Sequence, residues 1–228
     1  MQIELVDITK KYNADSAPVL DGITIKIAEG STIAITGPSG SGKSTLLNLI
    51  GTLDRPTSGK VLLDGRDVSV LTEAELAKTR NHSIGFVFQN HMLLPQLTAI
   101  ENISVPLLGQ SKEQQERSLS RAIEMLDLVG LSAKKDSFPN EMSIGECQRV
   151  AVVRALINEP GIILADEPTG SLDNNSARNL IDMLLQLREK KAFTLLAVTH
   201  SAEVASRMEF CYNLINGKLE KTNKKNQE

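Results

Sequence analysis

Gly37-Pro38-Ser39-Gly40-Ser41-Gly42-Lys43-Ser44, followed by Thr45, is the stretch on which the reading of this chain turns. It fits the pattern G-x-x-x-x-G-K-[ST], a loop whose backbone N–H groups close around a phosphate. Residues 31–36 lead straight into it as a strand. Residues 44–50 read as a helix stopped near Gly51. That strand–turn–helix setting is what separates the motif from a chance glycine-rich turn. The glycines let the chain curl toward an anion, and the helix N-terminus adds its dipole. Lys43 is then placed to neutralise β- and γ-phosphates, and the Ser44 hydroxyl to ligate Mg²⁺.

A second landmark is Ile162-Ile163-Leu164-Ala165-Asp166-Glu167. A run apolar on both faces suits a central parallel strand, and ligands of open α/β sheets gather at the carboxyl ends of such strands. Asp166 can hold Mg²⁺ through water, and Glu167 can act as general base on an attacking water. Paired acids can also simply cap the turn at Pro168. Beside a phosphate loop, the metal-and-base reading is the better one.

The remaining chain alternates strands and helices. Residues 2–8 and 23–27 alternate apolar and polar side chains, as half-buried strands do. Residues 61–63 form a short strand closed by Asp64-Gly65. Residues 113–129 read as a helix with Leu119, Ile123 and Leu126 on one face and Gly130 as its stop. Residues 145–158 are helical up to Pro160, and 177–187 helical again. Residues 161–165 and 193–198 are buried strands. Asn216-Gly217 predicts a hairpin, and 221–228 a frayed polar tail. The helical stretch 90–158 interrupts the strand-rich parts. The expected organisation is one domain: an α/β core of residues 1–89 and 159–220 with an inserted helical lobe, 90–158.

Composition excludes several classes. A net charge of −3 and an aromatic content of 3% disfavour a nucleic-acid binder, which needs basic patches and stacking platforms. Cys147 and Cys211 show neither metal spacing nor a disulfide framework, as expected of a reducing cytoplasm. The first residues, with Glu4 and Asp7, carry no signal-peptide pattern. No apolar run approaches the roughly 20 residues that span a bilayer. Any service to a membrane is expected to run through a partner.

Three residues stay ambiguous by position alone. His200, after the strand 193–198, can bond a γ-phosphate or be structural. Gln89, after Gly85-Phe86-Val87-Phe88, can be a plain loop amide. Tyr12 can stack on adenine or pack on the N-terminal sheet. Order resolves them. The phosphate loop, Gln89, Met142-Ser143-Ile144-Gly145-Glu146-Cys147-Gln148-Arg149, Asp166-Glu167, Ser171-Leu172-Asp173 and His200 follow one another as in ATP-binding cassette (ABC) ATPases, which the chain resembles over its whole length.

That resemblance implies a phosphate-loop (RecA-like) core with an N-terminal antiparallel β subdomain and an inserted α-helical subdomain. It implies Tyr12 as the adenine-stacking aromatic, Gln89 as the sensor of Mg²⁺ and of a membrane partner, 171–173 as the loop that communicates across a dimer, and His200 as the switch histidine. It implies a head-to-tail dimer in which each ATP lies between the phosphate loop of one copy and Ser143, Gly145 and Glu146 of the other, with Asp173 nearby. It also implies integral membrane permease subunits, and a peripheral position on the cytoplasmic side of the inner membrane. No nucleic acid is expected.

The family's Leu-Ser-Gly-Gly-Gln here reads Met-Ser-Ile-Gly-Glu. Ile144 restricts backbone where glycine gives freedom. An isoleucine pointing away from ATP leaves the site working; one pointing at it weakens dimer closure. The first reading is the expectation. Cys147, in the first turn of a helix, is either a thiol of lowered pKa or an inert packed one. Residues 85–95 and 97–103 look like the ATPases of the bacterial lipoprotein-releasing system, in a group that includes macrolide-type efflux and cell-division ATPases.

Overall fold

The computed structural model describes residues 1–13 and 15–222. In chain order the strands and α-helices are β1 (Ile3–Lys10), β2 (Leu20–Ile27), β3 (Thr32–Thr36), α1 (Lys43–Ile50), β4 (Ser58–Leu63), β5 (Arg66–Asp67), α2 (Glu73–Ser83), β6 (Ile84–Phe88), α3 (Ala99–Ser104), α4 (Lys112–Leu128), α5 (Ile144–Leu156), β7 (Ile162–Asp166), α6 (Asn174–Lys191), β8 (Thr194–Val198), α7 (Ala202–Ser206), β9 (Phe210–Ile215) and β10 (Lys218–Thr222). The chain divides into two compact units, residues 1–80 with 192–228, and residues 81–191.

The first unit contains an antiparallel sheet in the order β2-β1-β4-β5 and the strand run β10-β9-β3-β8. β3 pairs in parallel with both β8 and β9. β8 is buried along its whole length, the mark of a strand covered on both faces. β1 is irregular. Its register shifts between Leu5 and Ile8, and Asp7 sits in the left-handed region at φ 52. A bulge of this kind inverts which side chains point inward: Ile3 and Leu5 are buried before it, Ile8 and Lys10 after it. The hairpin at Asn216-Gly217 forms with φ values of 49 and 75, as a type I′ turn requires. Lys221 and Thr222, expected in the frayed tail, instead pair with Tyr212 and Cys211; residues 223–228 of that tail lie outside the described residues.

The second unit packs helices on the parallel pair β6–β7. α5 contacts β6, α3, α4 and α6 and buries Val150, Ala151, Val152 and Val153, so it is the central helix of this unit. The expected apolar face of α4 is corrected in part: Leu126 is buried, but Leu119 and Ile123 are 41% and 45% exposed, and the buried stripe is Ser118, Ala122, Met125 and Leu126. Small residues at i and i+4 let α4 approach its neighbours closely, which the larger leucine and isoleucine would prevent. Among the described residues no helix is long and apolar enough to cross a membrane.

Candidate functional site

In the first unit β3 delivers the chain into the phosphate loop, and Leu46, Leu47, Leu49 and Ile50 of α1 anchor the far side in the core. The curl is obligatory at Gly37. Its φ is 147, and a Cβ there would stand 2.3 Å from the Leu214 carbonyl oxygen. Lys43 is buried, and its ammonium donates to the Gly37 and Pro38 carbonyls at 2.9 and 3.0 Å. Nε2 of His200 lies 3.4 Å from the same nitrogen. The Ser41 hydroxyl is buried with no hydrogen-bond partner among the described residues. A curled loop around an ammonium with an orphaned hydroxyl suits a polyanion. Tyr12, 58% exposed, has its hydroxyl 3.3 Å from Thr45 Oγ1, which ties it to the start of α1.

In the second unit Asp166 ends β7, and Glu167 follows in the left-handed region at φ 46. Such a conformation costs a non-glycine residue about 1 kcal/mol or more and persists where the surroundings impose it. Asp166 and the Gln89 amide in this unit are hard oxygen donors, the kind Mg²⁺ takes; the Ser44 hydroxyl of the first unit is of the same kind. Among the described residues there is no cluster of three or more His, Cys, Asp or Glu side chains that could hold a metal ion.

Ser143 caps α5. Its hydroxyl accepts from the Glu146 N–H, and its own N–H and hydroxyl donate to the Glu146 carboxylate at 2.8 and 2.9 Å. The Ser143 N–H first, then the Ser143 hydroxyl, Lys134 and Arg149, hold the Glu146 carboxyl below its ordinary range against the opposing effect of burial, which is second in size only to the Ser143 N–H. A groove of about 580 Å³ opens on this cap, lined by Ser143, Gly145, Arg149, Ser171, Asp173 and Ser176. Arg149 Nε is buried with no partner among the described residues. The groove therefore offers hydroxyls, a helix N-terminus and a guanidinium to an anion, beside the carboxylates of Glu146 and Asp173, which also line it and accept cap bonds. Asp173 accepts from the N–H groups of Asn175 and Ser176, which makes it the cap of α6. Ile144 occupies the first helical position and is 55% exposed at the rim. Cys147 is 2% exposed; burial, then the Glu146 carboxylate, push its thiol up, as the inert, packed alternative requires.

The loop after β6 is clamped. Gln148 donates to the Phe88 carbonyl at 2.7 Å and accepts from the His91 N–H. Arg154 donates to the Met92 and His91 carbonyls, both at 2.6 Å. The Ser171 hydroxyl donates to the Gln89 carbonyl at 3.0 Å. Reading the sequence alone missed Lys10, Gln148, Arg149 and Arg154. The one signal available was two long polar side chains, Gln148 and Arg154, on the otherwise apolar stripe of α5.

A curled phosphate loop, a strand ending in two acids and a second, capped anion-seeking helix define a phosphate-loop nucleotide-binding cassette. The chain belongs to the ABC transporter family, whose sequence model matches residues 20–170. It is 47% identical over 219 residues to the lipoprotein-releasing system ATP-binding protein LolD of Geobacter metallireducens, covering 95% of this chain and 97% of that protein. It is 44% identical over 215 residues to LolD 1 of Rhodopirellula baltica, covering 93% of each. Among solved structures it resembles the dimeric bacterial ABC transporter cassette MJ0796 at a TM-score of 0.85 and 40% identity, covering 97% of this chain and 99% of that one. The same cassette has been solved as a dimer in a post-hydrolysis state bound to ADP and Pi, matching at a TM-score of 0.83 and 38% identity over the same shares of the two chains.

Proposed function

We propose that this chain is the ATP-hydrolysing subunit of an ABC transporter that releases lipoproteins from the inner membrane. It works as a head-to-tail dimer holding ATP between its copies and driving separate integral membrane permease subunits, on the cytoplasmic side. The observation that carries this reading is the groove at Ser143. A phosphate-loop enzyme working alone, such as a small-molecule kinase, has no use for a second anion-seeking helix N-terminus lined by Arg149 and open to solvent. A dimer whose copies exchange these surfaces has. The LolD relatives favour lipoprotein cargo over efflux or division substrates.

In this reading the Lys43 ammonium leaves the Gly37 and Pro38 carbonyls for the β- and γ-phosphates, and the N–H groups of residues 37–45 surround the phosphate chain. Tyr12 stacks on adenine. Ser44, Gln89 and Asp166 would hold Mg²⁺, which neutralises phosphate charge when bound. Glu167 takes the proton of the attacking water, and His200 bonds the γ-phosphate. From the opposite copy, Ser143, Gly145, Glu146 and Arg149 close on the same phosphate, with Asp173 beside them. Ile144, at the exposed rim, leaves Ser143 within reach. Loss of the γ-phosphate releases the copies, and the helical residues 90–158 pass that motion to the permease.

Two measurements test this. The Glu167→Gln variant is expected to dimerise at millimolar ATP and to stay monomeric with ADP; a monomer under both conditions overturns the dimer mechanism. Tagged protein drawn from detergent-solubilised native membranes is expected to bring a lipoprotein-releasing permease. Recovery of an efflux or division permease instead would replace the cargo and leave the ATPase standing.

A further inference from the structure

We propose that Lys10 and Asp54 are a positioning pair that fixes the Tyr12 ring as a platform for the nucleotide base, which makes them determinants of base-dependent affinity; this rests on the reading of Tyr12 given above. The bulge at Asp7 is what brings Lys10 inward. After it, β1 buries Ile8 and Lys10, and Lys10 ends up 9% exposed.

A buried ammonium must be paired. Lys10 Nζ donates to Asp54 Oδ1 at 2.6 Å and to the Arg55 carbonyl at 2.8 Å, and the Asp54 carboxylate accepts the Arg55 N–H at 2.7 Å. Burial raises the Asp54 carboxyl, but bonds from Lys10, the Arg55 N–H and the Tyr12 hydroxyl outweigh it and hold the group ionised. The ammonium is thus held in place before any ligand arrives.

Its third neighbour is the Tyr12 ring, two residues further along the chain, whose centroid lies 5.0 Å from Nζ. That is within the range of a cation–π contact. The cation lies over one face of the ring, and the residue as a whole is 58% exposed. The Tyr12 hydroxyl, 3.3 Å from Thr45 Oγ1, fixes the ring's far end against the helix that begins at the phosphate loop. An exposed tyrosine would otherwise sample several rotamers and lose that freedom on binding. Held this way, the face opposite the cation stands at a set distance from the phosphate loop, where a base must lie if its phosphates are in the loop. The hydrogen bonds of Lys10 and Asp54 run to each other and to the Arg55 backbone, and the ring they hold is Tyr12, so the pair should act on the base more than on the phosphates.

The test compares ATP with inorganic tripolyphosphate, which has no base, as competitors of a fluorescent ATP analogue on the full chain. Tyr12→Ala and Lys10→Met are expected to weaken ATP about fivefold to tenfold and tripolyphosphate less than twofold, with Lys10→Arg close to wild type. Equal weakening of both competitors by Lys10→Met would make the lysine a general support of the fold and overturn the proposal. Wild-type ATP affinity in Lys10→Met, with Tyr12→Ala weakened, overturns the proposal and leaves the platform standing. Unchanged ATP affinity in Tyr12→Ala removes the platform itself. Should Lys10→Met fail to fold, Asp54→Asn carries the same comparison, with an expected ATP-selective loss of about twofold to threefold.

Discussion

The Lys43 ammonium donates to two carbonyls of its own loop and lies 3.4 Å from Nε2 of His200. An ammonium has three donors and no acceptor, so a hydrogen bond here requires His200 to present an unprotonated Nε2. Phosphate oxygens entering the loop would compete with this contact for the ammonium. Different losses follow for the two residues. Lys43→Met removes the main positive charge of the loop and is expected to abolish measurable ATP binding. His200→Ala should leave ATP binding within about threefold and lower turnover by about a hundredfold. Equilibrium binding and single-turnover hydrolysis separate the two; a His200 variant with full turnover would contradict the assignment.

Glu146 carries a pH prediction. Its carboxyl is held below its ordinary value by the Ser143 N–H and hydroxyl. A depressed folded pKa contributes stability above the unfolded value and loses it as pH falls through the folded one. Glu146→Gln should therefore lose stability at pH 7 relative to the parent, and the gap should close on acidification below the ordinary glutamate range. Glu146→Ala removes the carboxylate half of the capping box, leaves the Ser143 hydroxyl on the backbone N–H of residue 146, and should cost less than about 1 kcal/mol. Urea unfolding at neutral and acidic pH measures both. A gap that widens in acid would contradict the cap.

Gln148 is fully buried and bridges the Phe88 carbonyl and the His91 N–H. Gln148→Ala leaves both backbone groups without this partner and opens a cavity, an expected loss of about 2–4 kcal/mol. Because the bridged loop carries Gln89, that loop should also exchange amide hydrogens faster than the rest of its unit. Denaturant midpoints and hydrogen exchange report the two effects separately.

Cys147 is expected to stay unlabelled by a thiol reagent at pH 7 while the protein is folded. It is buried, its thiol is pushed up by burial and by Glu146, and its Sγ bonds the Pro139 carbonyl at 3.5 Å. Rapid labelling under native conditions would show that the first turn of α5 opens far more readily than its cap implies.

Much of this was legible because it is local. The phosphate loop, the acids after β7, the cap at Ser143 and the Asn216-Gly217 hairpin are each written in a few adjacent residues whose backbone needs leave a chemical trace. What escaped is set by partners distant in sequence. Leu119 and Ile123 look like a core face until neighbouring helices demand the small residues Ser118 and Ala122 instead. Lys10 looks like a surface residue because the bulge at Asp7 inverts the inward parity of β1 only once β2 and β4 have paired with it. β6 leaves little trace in the sequence, since Ile84 to Phe88 is a short mixed run that becomes a strand by pairing with β7. α2 buries only Leu76, so it has little periodicity to read.

Gly170 and Gln89 supply the last prediction. A Cβ on Gly170 would stand 2.7 Å from Gln89 Nε2 and 3.1 Å from its Cδ. The neighbouring Ser171 hydroxyl holds the Gln89 carbonyl in place. Gly170→Ala must therefore turn the Gln89 amide aside while its backbone stays tethered. An exposed amide moves at little cost, so stability should fall by less than about 1 kcal/mol. Function should fall further if Gln89 acts as proposed above, as one of the donors to Mg²⁺. ATP hydrolysis is expected to drop about tenfold or more, with part of the activity recovered at raised Mg²⁺. Full activity in Gly170→Ala, with the fold intact, would mean that the position of the Gln89 amide does not matter to the reaction.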